Sequence, residues 1–361
     1  MDFKNKNPKK ILIINTFGIG DVLFTMPFVE NLMVNFPNAE IAYLGNRRVE
    51  PLLRGYPKIK KVFIYDRDDF QAVNKRSKLK FFKKIFSFLK EVKNEQFDIV
   101  FDFSLNSTIN FLTMLVGIPE RVGFNYRDRS PFLTVKFHFE GFERKHVVEY
   151  YFDLLEYLGL EVTVRKLQFP VNPQDCQWVD QFLKRAGRDP GKRLVGVIPG
   201  AGASWGAQSR YRRWAPEKYK KLLDKLIDKF SLQIILMGDQ READLCAQVI
   251  PERDKSVIHA YGKTSVGQLL ALLSRCELII LNDGGPFHMA VAVGVKTVSI
   301  FGPVDEVVYG PYGDFTKHVV VKKDIACRPC YRNFRMTACD HISCLQQIEV
   351  EDVLRKVESL L

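Results

Sequence analysis

The stretch LIILNDGGPFHMAVAVGVKTVSIFGPVD, Leu278 to Asp305, decides the fold. Leu278 to Leu281 is short, apolar and β-rich, the pattern of a parallel strand buried on both faces. Asn282, Asp283, Gly284 and Gly285 break it, and Pro286 stands where a first helical turn begins. The spacing predicts a helix through Val293, with Gly294 as its C-terminal cap. Val298 to Phe301 is the next strand, running into Gly302-Pro303-Val304-Asp305. A glycine pair after a parallel strand lets the backbone approach a ligand, while the new helix offers N–H groups and a partial positive charge; a phosphate suits both. His288, in the first turn, can donate to the same oxygens, and Asp283 can fix the loop or hold a hydroxyl. One loop of this kind equally fits a plain βαβ turn.

The pattern recurs along the chain. Leu194 to Ile198 reads as a strand followed by Pro199-Gly200-Ala201-Gly202-Ala203-Ser204, a second small-residue loop containing Gly200 and Ser204. Arg210, Arg212 and Arg213 follow, then Trp214-Ala215-Pro216-Glu217 opens a helix. Gln233 to Met237 is a strand ending in Gly238-Asp239, ahead of a helix holding Arg241 and Glu242, and another helix spans about Thr264 to Leu273. In the first half, the strand Lys10 to Asn15 enters a tight turn, Thr16 to Asp21, with Gly18 and Gly20, and then a helix to about Asn35. Asp21 falls near the N-cap, as an ordinary capping carboxylate or as one at the open strand end where α/β sheets bind ligands. Further strands are predicted at Ile41 to Leu44, Val62 to Tyr65, Phe97 to Phe103 and near Arg121 to Phe124, with a helix from about Lys145 to Leu158. Asp102, Ser104, Asn106 and Ser107 could border the same edge. Such alternation argues for parallel sheets flanked by helices. Phe169 to Pro173, with two prolines, reads as the linker, and His138 and His146 as surface or edge residues without a role.

A length of 361 residues suits two domains, and 46% hydrophobic with 27% charged residues is the balance of a soluble globular protein. No apolar run is long enough to span a bilayer, and MDFKNKNPKK leads straight into the strand ILIIN, so a cytoplasmic location is expected. The net charge of +12 is uneven: Arg47 to Lys93 holds 15 Lys/Arg against 5 Asp/Glu. Such a patch attracts nucleic acid, a membrane face or an acidic glycolipid. No nucleic-acid module is recognisable, which ranks DNA and RNA last. Within Asn74 to Gln96, Phe81, Phe82, Ile85, Phe86, Phe88, Leu89 and Val92 fill one arc of roughly 160° on a helical wheel, with lysines opposite. That segment fits a core-packed amphipathic helix or a face meeting anionic lipid headgroups. Of seven cysteines, Cys176, Cys246 and Cys276 stand singly as core residues, whereas Cys327, Cys330, Cys339 and Cys344 form C-x2-C-x8-C-x4-C, the spacing of a structural zinc site or of merely local thiols.

Asp283-x-Gly285-x-x-His288, Phe301 to Asp305, Tyr309 to Gly313, Gly18 to Val22, Pro199-Gly200-Ala201 and Arg212 to Glu217 together resemble glycosyltransferase family 9, in that family's order and over nearly the whole chain. The resemblance implies an α/β fold of GT-B type, two Rossmann-like domains with parallel sheets facing a central cleft. Residues 1–170 would form the acceptor-side domain, 171–345 the nucleotide-sugar domain, and 346–361 a helix returning to the first. It implies an inverting transfer of a heptose or related sugar from an ADP-sugar to a lipid-anchored, lipopolysaccharide core-type oligosaccharide. This would occur at the inner face of the cytoplasmic membrane, with the enzyme peripheral; it is the lipid-facing reading of Asn74 to Gln96, taken from its residues, that would put that segment on the anionic surface. Carried over, Asp21 is the general base and Gly18 and Gly20 lie on the acceptor side. Gly200, Ser204, Arg212, Glu242, Asp283, Gly284, Gly285, Pro286 and His288 would hold the donor, Glu242 through ribose or base edges. No cofactor is implied for the chemistry. Gly284 replaces the usual Ser or Thr, Arg212 the usual Lys, and Val304 the usual Thr. Alternatives are a GT-B-like nucleotide-sugar epimerase, or a basic membrane-binding protein without transfer activity.

Overall fold

The computed structural model describes residues 3–202, 206–250, 257–332 and 334–361. The chain divides into two compact units: Met1–Glu143 with Val147–Arg165, and Arg144–His146 with Lys166–Leu361. The first contains β1 (Lys10–Ile14), α1 (Ile19–Phe24), α2 (Met26–Asn35), β2 (Glu40–Gly45), α3 (Glu50–Gly55), β3 (Ile59–Ile64), α4 (Arg67–Arg76), α5 (Lys78–Asn94), β4 (Ile99–Asp102), α6 (Ser107–Leu115), β5 (Glu120–Tyr126), β6 (Val135–Phe139) and α7 (Val147–Tyr157). The second begins with α8 (Pro173–Arg185), β7 (Arg193–Ile198), a 3-10 turn (Gly206–Arg212), α9 (Pro216–Lys229), β8 (Leu232–Leu236), a second 3-10 turn (Gln240–Glu242), α10 (Ala243–Gln248) and β9 (Ile258–His259). It continues with α11 (Val266–Leu273), β10 (Leu278–Asn282), α12 (Gly285–Val293), β11 (Lys296–Ile300), α13 (Glu306–Tyr309), β12 (His318–Val321), the hairpin β13 (Tyr331–Arg332) and β14 (Arg335–Met336), α14 (Ser343–Gln346) and α15 (Val350–Glu358).

Each unit carries a six-stranded parallel sheet. The orders are β3-β2-β1-β4-β5-β6 and β12-β11-β10-β7-β8-β9, the same arrangement twice. Both are the Rossmann order, in which strand direction of travel reverses once; ligands bind outside the carboxyl ends at that reversal. The reversal falls between β1 and β4 in the first unit and between β7 and β10 in the second. Ile14 is level with Asp102, and Ile198 with Leu281, so the loops that leave these strand pairs start side by side.

The first sheet buries Leu12, Ile14, Leu44, Phe63 and Val100 on one face with Val92, Ile109 and Val116 from α5, α6 and the turn after it. On the other face, Phe28 meets Phe101, Phe103 and Tyr151 edge-on, with ring centroids 5.0, 5.0 and 6.4 Å away. In the second unit Val195, Val197, Ile280, Val298 and Ile300 pack with Leu222, Leu223 and Leu226 of α9.

Several elements differ from the sequence reading. The first helix is two, because Thr25 ends α1 and Pro27 sits in the first turn of α2. β6, β9 and β12 are additional strands, short or bearing polar residues at alternate positions. Arg241 and Glu242 sit in a 3-10 turn before α10. Phe169 to Pro173 is not a free linker: Phe169 is buried and its N–H donates to Ala292 O at 3.0 Å, and Asn172 caps α8 through Gln174 N. The final helix joins the second unit, with Val350, Val353 and Val357 in that unit's core and the carbonyls of Leu361 and Leu360 held by Arg193 and Lys296. Its apolar stripe packs against α9, β11 and β12 within that unit.

Candidate active site

At the reversal point of the second sheet, two glycine loops touch. Asn282, at the end of β10, is wholly buried and ties them: its side-chain N–H donates to Pro199 O (2.7 Å) and Gly200 O (3.2 Å), while its Oδ1 accepts from Trp214 N (3.0 Å). A Cβ on Gly284 would stand 2.8 Å from Ala201 O, so only glycine lets the loops approach this closely. Gly202 takes a left-handed backbone (φ +72°) beside Pro286. Ser204 lies outside the described residues.

Behind the first loop sits Glu242. Its buried carboxylate accepts from Ala201 N, Gly202 N and the Arg213 guanidinium, each at 3.2 Å, and a Cβ on Gly200 would collide with it at 2.2 Å. Glu242 thus moulds the loop from beneath.

In front lies a buried ion pair. Arg212 Nη2 is 2.7 Å from Asp283 Oδ2, with the side chains 8% and 2% exposed. Burial raises the Asp283 carboxyl above its ordinary range, and Arg212 opposes that shift. Asp283 Oδ1 has no hydrogen-bond donor among the described residues. A buried carboxylate oxygen left this way favours a hydroxyl donor from a ligand. Pro286 contributes no N–H, and Phe287 and His288 N–H turn back to Gly284 O at 3.1 and 3.4 Å. The donors that this helix start can offer are therefore the N–H groups of Gly284 and Gly285.

His288 is buried, and its imidazole is held well below its ordinary value, first by burial and then by the nearby His146 and Arg212. It is therefore a neutral imidazole, not a cation, at neutral pH. His146, read from the sequence as a surface or edge residue, is buried: its Nε2 is 3.2 Å from Gly310 O and its ring lies 4.8 Å from that of Tyr312. Burial pushes its pKa down to about 4. No local sequence signal marks it; only the fold brings it near His288. His138 is exposed beside Glu140, as expected.

At the reversal point of the first sheet, Asp21 lies in the first turn of α1 and its Oδ2 accepts from Gly18 N at 3.0 Å, so the capping role is present. Gly18 is the N-cap with an extended backbone, and Gly20 is buried in the first turn. Asn15 braces the turn, donating to Asp21 O (3.2 Å) and accepting from Phe17 N (3.0 Å). Tyr43 and Tyr151 are near enough that the Asp21 charge helps raise both phenols, after burial as the main cause. Asp102 is wholly internal, accepting from Ser104 N (2.8 Å) and the Asn110 amide (2.6 Å).

The zinc reading of the four cysteines is not supported. Among the described residues no group of three or more His, Cys, Asp or Glu side chains is placed to hold a metal ion. The thiols have local engagements instead: Cys330 donates to Cys327 O (2.9 Å), Cys339 Sγ accepts from Ile342 N (3.4 Å) and Cys344 enters the apolar core. This segment braces the loop after β11, because Cys330 and Tyr331 N–H both donate to Pro303 O and Arg328 gathers Gly302 O, Val304 O and Glu306.

Residues 85–339 match the family model described as Glycosyltransferase family 9 (heptosyltransferase). The chain belongs to that family. It is 23% identical over 355 residues to lipooligosaccharide heptosyltransferase 2 of Campylobacter jejuni, covering 98% of each chain. The solved family 9 glycosyltransferase of Veillonella parvula superposes with a TM-score of 0.78 at 22% identity, over 99% of this chain and 97% of that one. Escherichia coli heptosyltransferase WaaC with ADP-2-deoxy-2-fluoro heptose gives 0.73 at 17% identity, over 97% and 99%. Family 9 membership makes the protein a glycosyltransferase of the GT-B class, built from two Rossmann-like units. No described helix is long and apolar enough to cross a membrane.

Proposed function

We propose that the protein transfers a heptose or a closely related sugar, with inversion, from an ADP-sugar to a lipopolysaccharide core-type acceptor at the inner face of the cytoplasmic membrane. The observation that carries this reading is the buried Arg212–Asp283 pair with neutral His288, set at the reversal point between two touching glycine loops. It gives one fixed cation and neutral N–H donors for a diphosphate, and a buried carboxylate for a sugar hydroxyl. A relative's structure with an ADP-heptose analogue supports the choice of donor.

The acceptor hydroxyl oxygen bonds to the anomeric carbon as the carbon–oxygen bond to ADP breaks. The leaving diphosphate takes the electron pair, and the acceptor's proton passes to the Asp21 carboxylate as general base. Arg212, His288 and the N–H groups of Gly284 and Gly285 stabilise the growing negative charge, as preorganised donors do. Glu242 keeps the Gly200 loop in place.

A screen of nucleotides and nucleotide-sugars for thermal stabilisation tests the donor, because a ligand bound only by the folded state raises its melting point. ADP-heptose and ADP should stabilise and UDP-sugars should not. Stabilisation by UDP-sugars alone would remove the proposal.

A further inference from the structure

We propose that the outer face of α5 is a docking surface for an anionic lipid bilayer; this rests on the acceptor being lipid-anchored, as argued above. The helix has two apolar faces, not one. Phe81, Ile85, Phe88, Leu89 and Val92 turn toward the first unit, with Val92 in its core and Phe88 and Leu89 packed against it. Leu79, Phe82 and Phe86 turn outward and are 67%, 64% and 71% exposed. On the sequence wheel Phe82 and Phe86 share one arc of roughly 160° with the inward residues, and Leu79 lies just beyond it, so the apolar surface is wider than the sheet covers.

On a 100°-per-residue wheel, the three exposed apolar residues fall within about 60° of one another. Lys78, Lys83, Lys90 and Lys93, all exposed, lie on the same side within about 140°. The helix's one acid, Glu91, lies on the other side, 3.7 Å from Lys61, and Glu95 just beyond it is paired with Lys61 and Lys10 at 2.8 and 3.0 Å. The outer face thus combines ammonium groups that have no ion-pair partner among the described residues with aromatic and aliphatic side chains. α6 shares an apolar pocket with α5, lined by Phe88, Leu89, Ile109 and Leu112.

Charge complementarity selects the occupant. A second copy meeting this face about a two-fold axis would oppose lysine to lysine. Nucleic acid would attract the lysines but leave Leu79, Phe82 and Phe86 against phosphates. A bilayer with acidic headgroups accepts both parts, taking the apolar side chains into the headgroup boundary and the lysines at its surface. A helix of 17 residues gives a contact roughly 25 Å long.

The test uses the full chain and vesicles of phosphatidylglycerol and phosphatidylcholine in equal parts, against phosphatidylcholine alone. The wild type should cosediment with the anionic vesicles only, and less so as salt rises. Phe82→Ser with Phe86→Ser, and separately Lys83→Glu with Lys90→Glu, should each reduce binding on the order of tenfold or more. Both should keep wild-type ADP affinity and wild-type transfer to an acceptor stripped of its acyl chains, while transfer to vesicle-borne acceptor falls. Unchanged cosedimentation of both variants overturns the docking surface. So does equal binding to neutral vesicles, or a wild-type dimer that the substitutions dissociate. Absence of transfer to the stripped acceptor by wild type, with vesicle binding intact, would instead count against the proposed reaction and leave the surface standing.

Discussion

The two reversal points share one topology and differ in what the loops do there. In the second unit, small residues bring the loops after β7 and β10 into contact, Asn282 ties them, and the charged groups are buried in a fixed pair. In the first unit, the polar groups after β1 and β4 serve their own loops: Asp21 caps Gly18, Asn15 braces the turn and Asp102 is closed off by Ser104 and Asn110. On the proposed function the diphosphate is the same in every donor, so its site can be rigid and glycine-lined. On the proposed function the acceptor oligosaccharide varies, and there one partly exposed carboxylate, Asp21 in the first turn of α1, would suffice.

The comparison can be broken at several points. Asp21→Asn should cut transfer by about 10²–10⁴-fold, the usual loss of a general base, while ADP still binds; single-turnover assays would show it, and unchanged turnover removes the assignment. Glu242→Gln leaves Arg213 and two N–H groups with a neutral partner, and should lower unfolding free energy by about 1.5–3 kcal/mol while raising KM for the donor more than it lowers kcat. Gly284→Ser restores the residue usual in family 9, yet here it drives a Cβ against Ala201 O. It should cost about 1–3 kcal/mol in denaturant unfolding and weaken ADP binding; a stabilised variant would show that the loops part freely.

The smallest effect concerns pH. His146 and His318 are both held down to about 4 by burial. The unfolded chain takes up protons from about 6.5 downward, whereas these two sites do not. Their contribution to stability is fully present above about pH 6.5 and is lost as pH falls toward 4. Asp102 and Asp283, raised by burial, act in the opposite sense. The difference between wild type and His146→Gln therefore isolates the effect: the variant's melting temperature should fall less steeply between pH 6.5 and 4. An identical slope would mean that His146 is solvated.

Much of this was legible in the sequence. The loops at Gly18 to Asp21, Pro199 to Gly202 and Asp283 to Gly285 announce themselves because Gly and Pro interrupt apolar strands there. What was hidden depends on tertiary packing. Val135 to Phe139 alternates with polar residues and pairs only because β5 supplies its ladder. His146 is remote in sequence from His288. The hydrophobic arc of α5 shows which residues are apolar, but not how much of it the sheet covers. The four-cysteine spacing suggested a metal, whereas the backbone uses that segment to hold the loop after β11.

Calorimetric titration of ADP into wild type, Arg212→Gln and Asp21→Asn decides whether the second reversal point grips the nucleotide while the first supplies only the base. Loss of a charged hydrogen-bond partner, about 1.5–3 kcal/mol, is roughly 10- to 150-fold in affinity. ADP should bind Arg212→Gln weaker by that factor and Asp21→Asn as tightly as wild type. Full affinity in Arg212→Gln together with loss in Asp21→Asn would contradict the account.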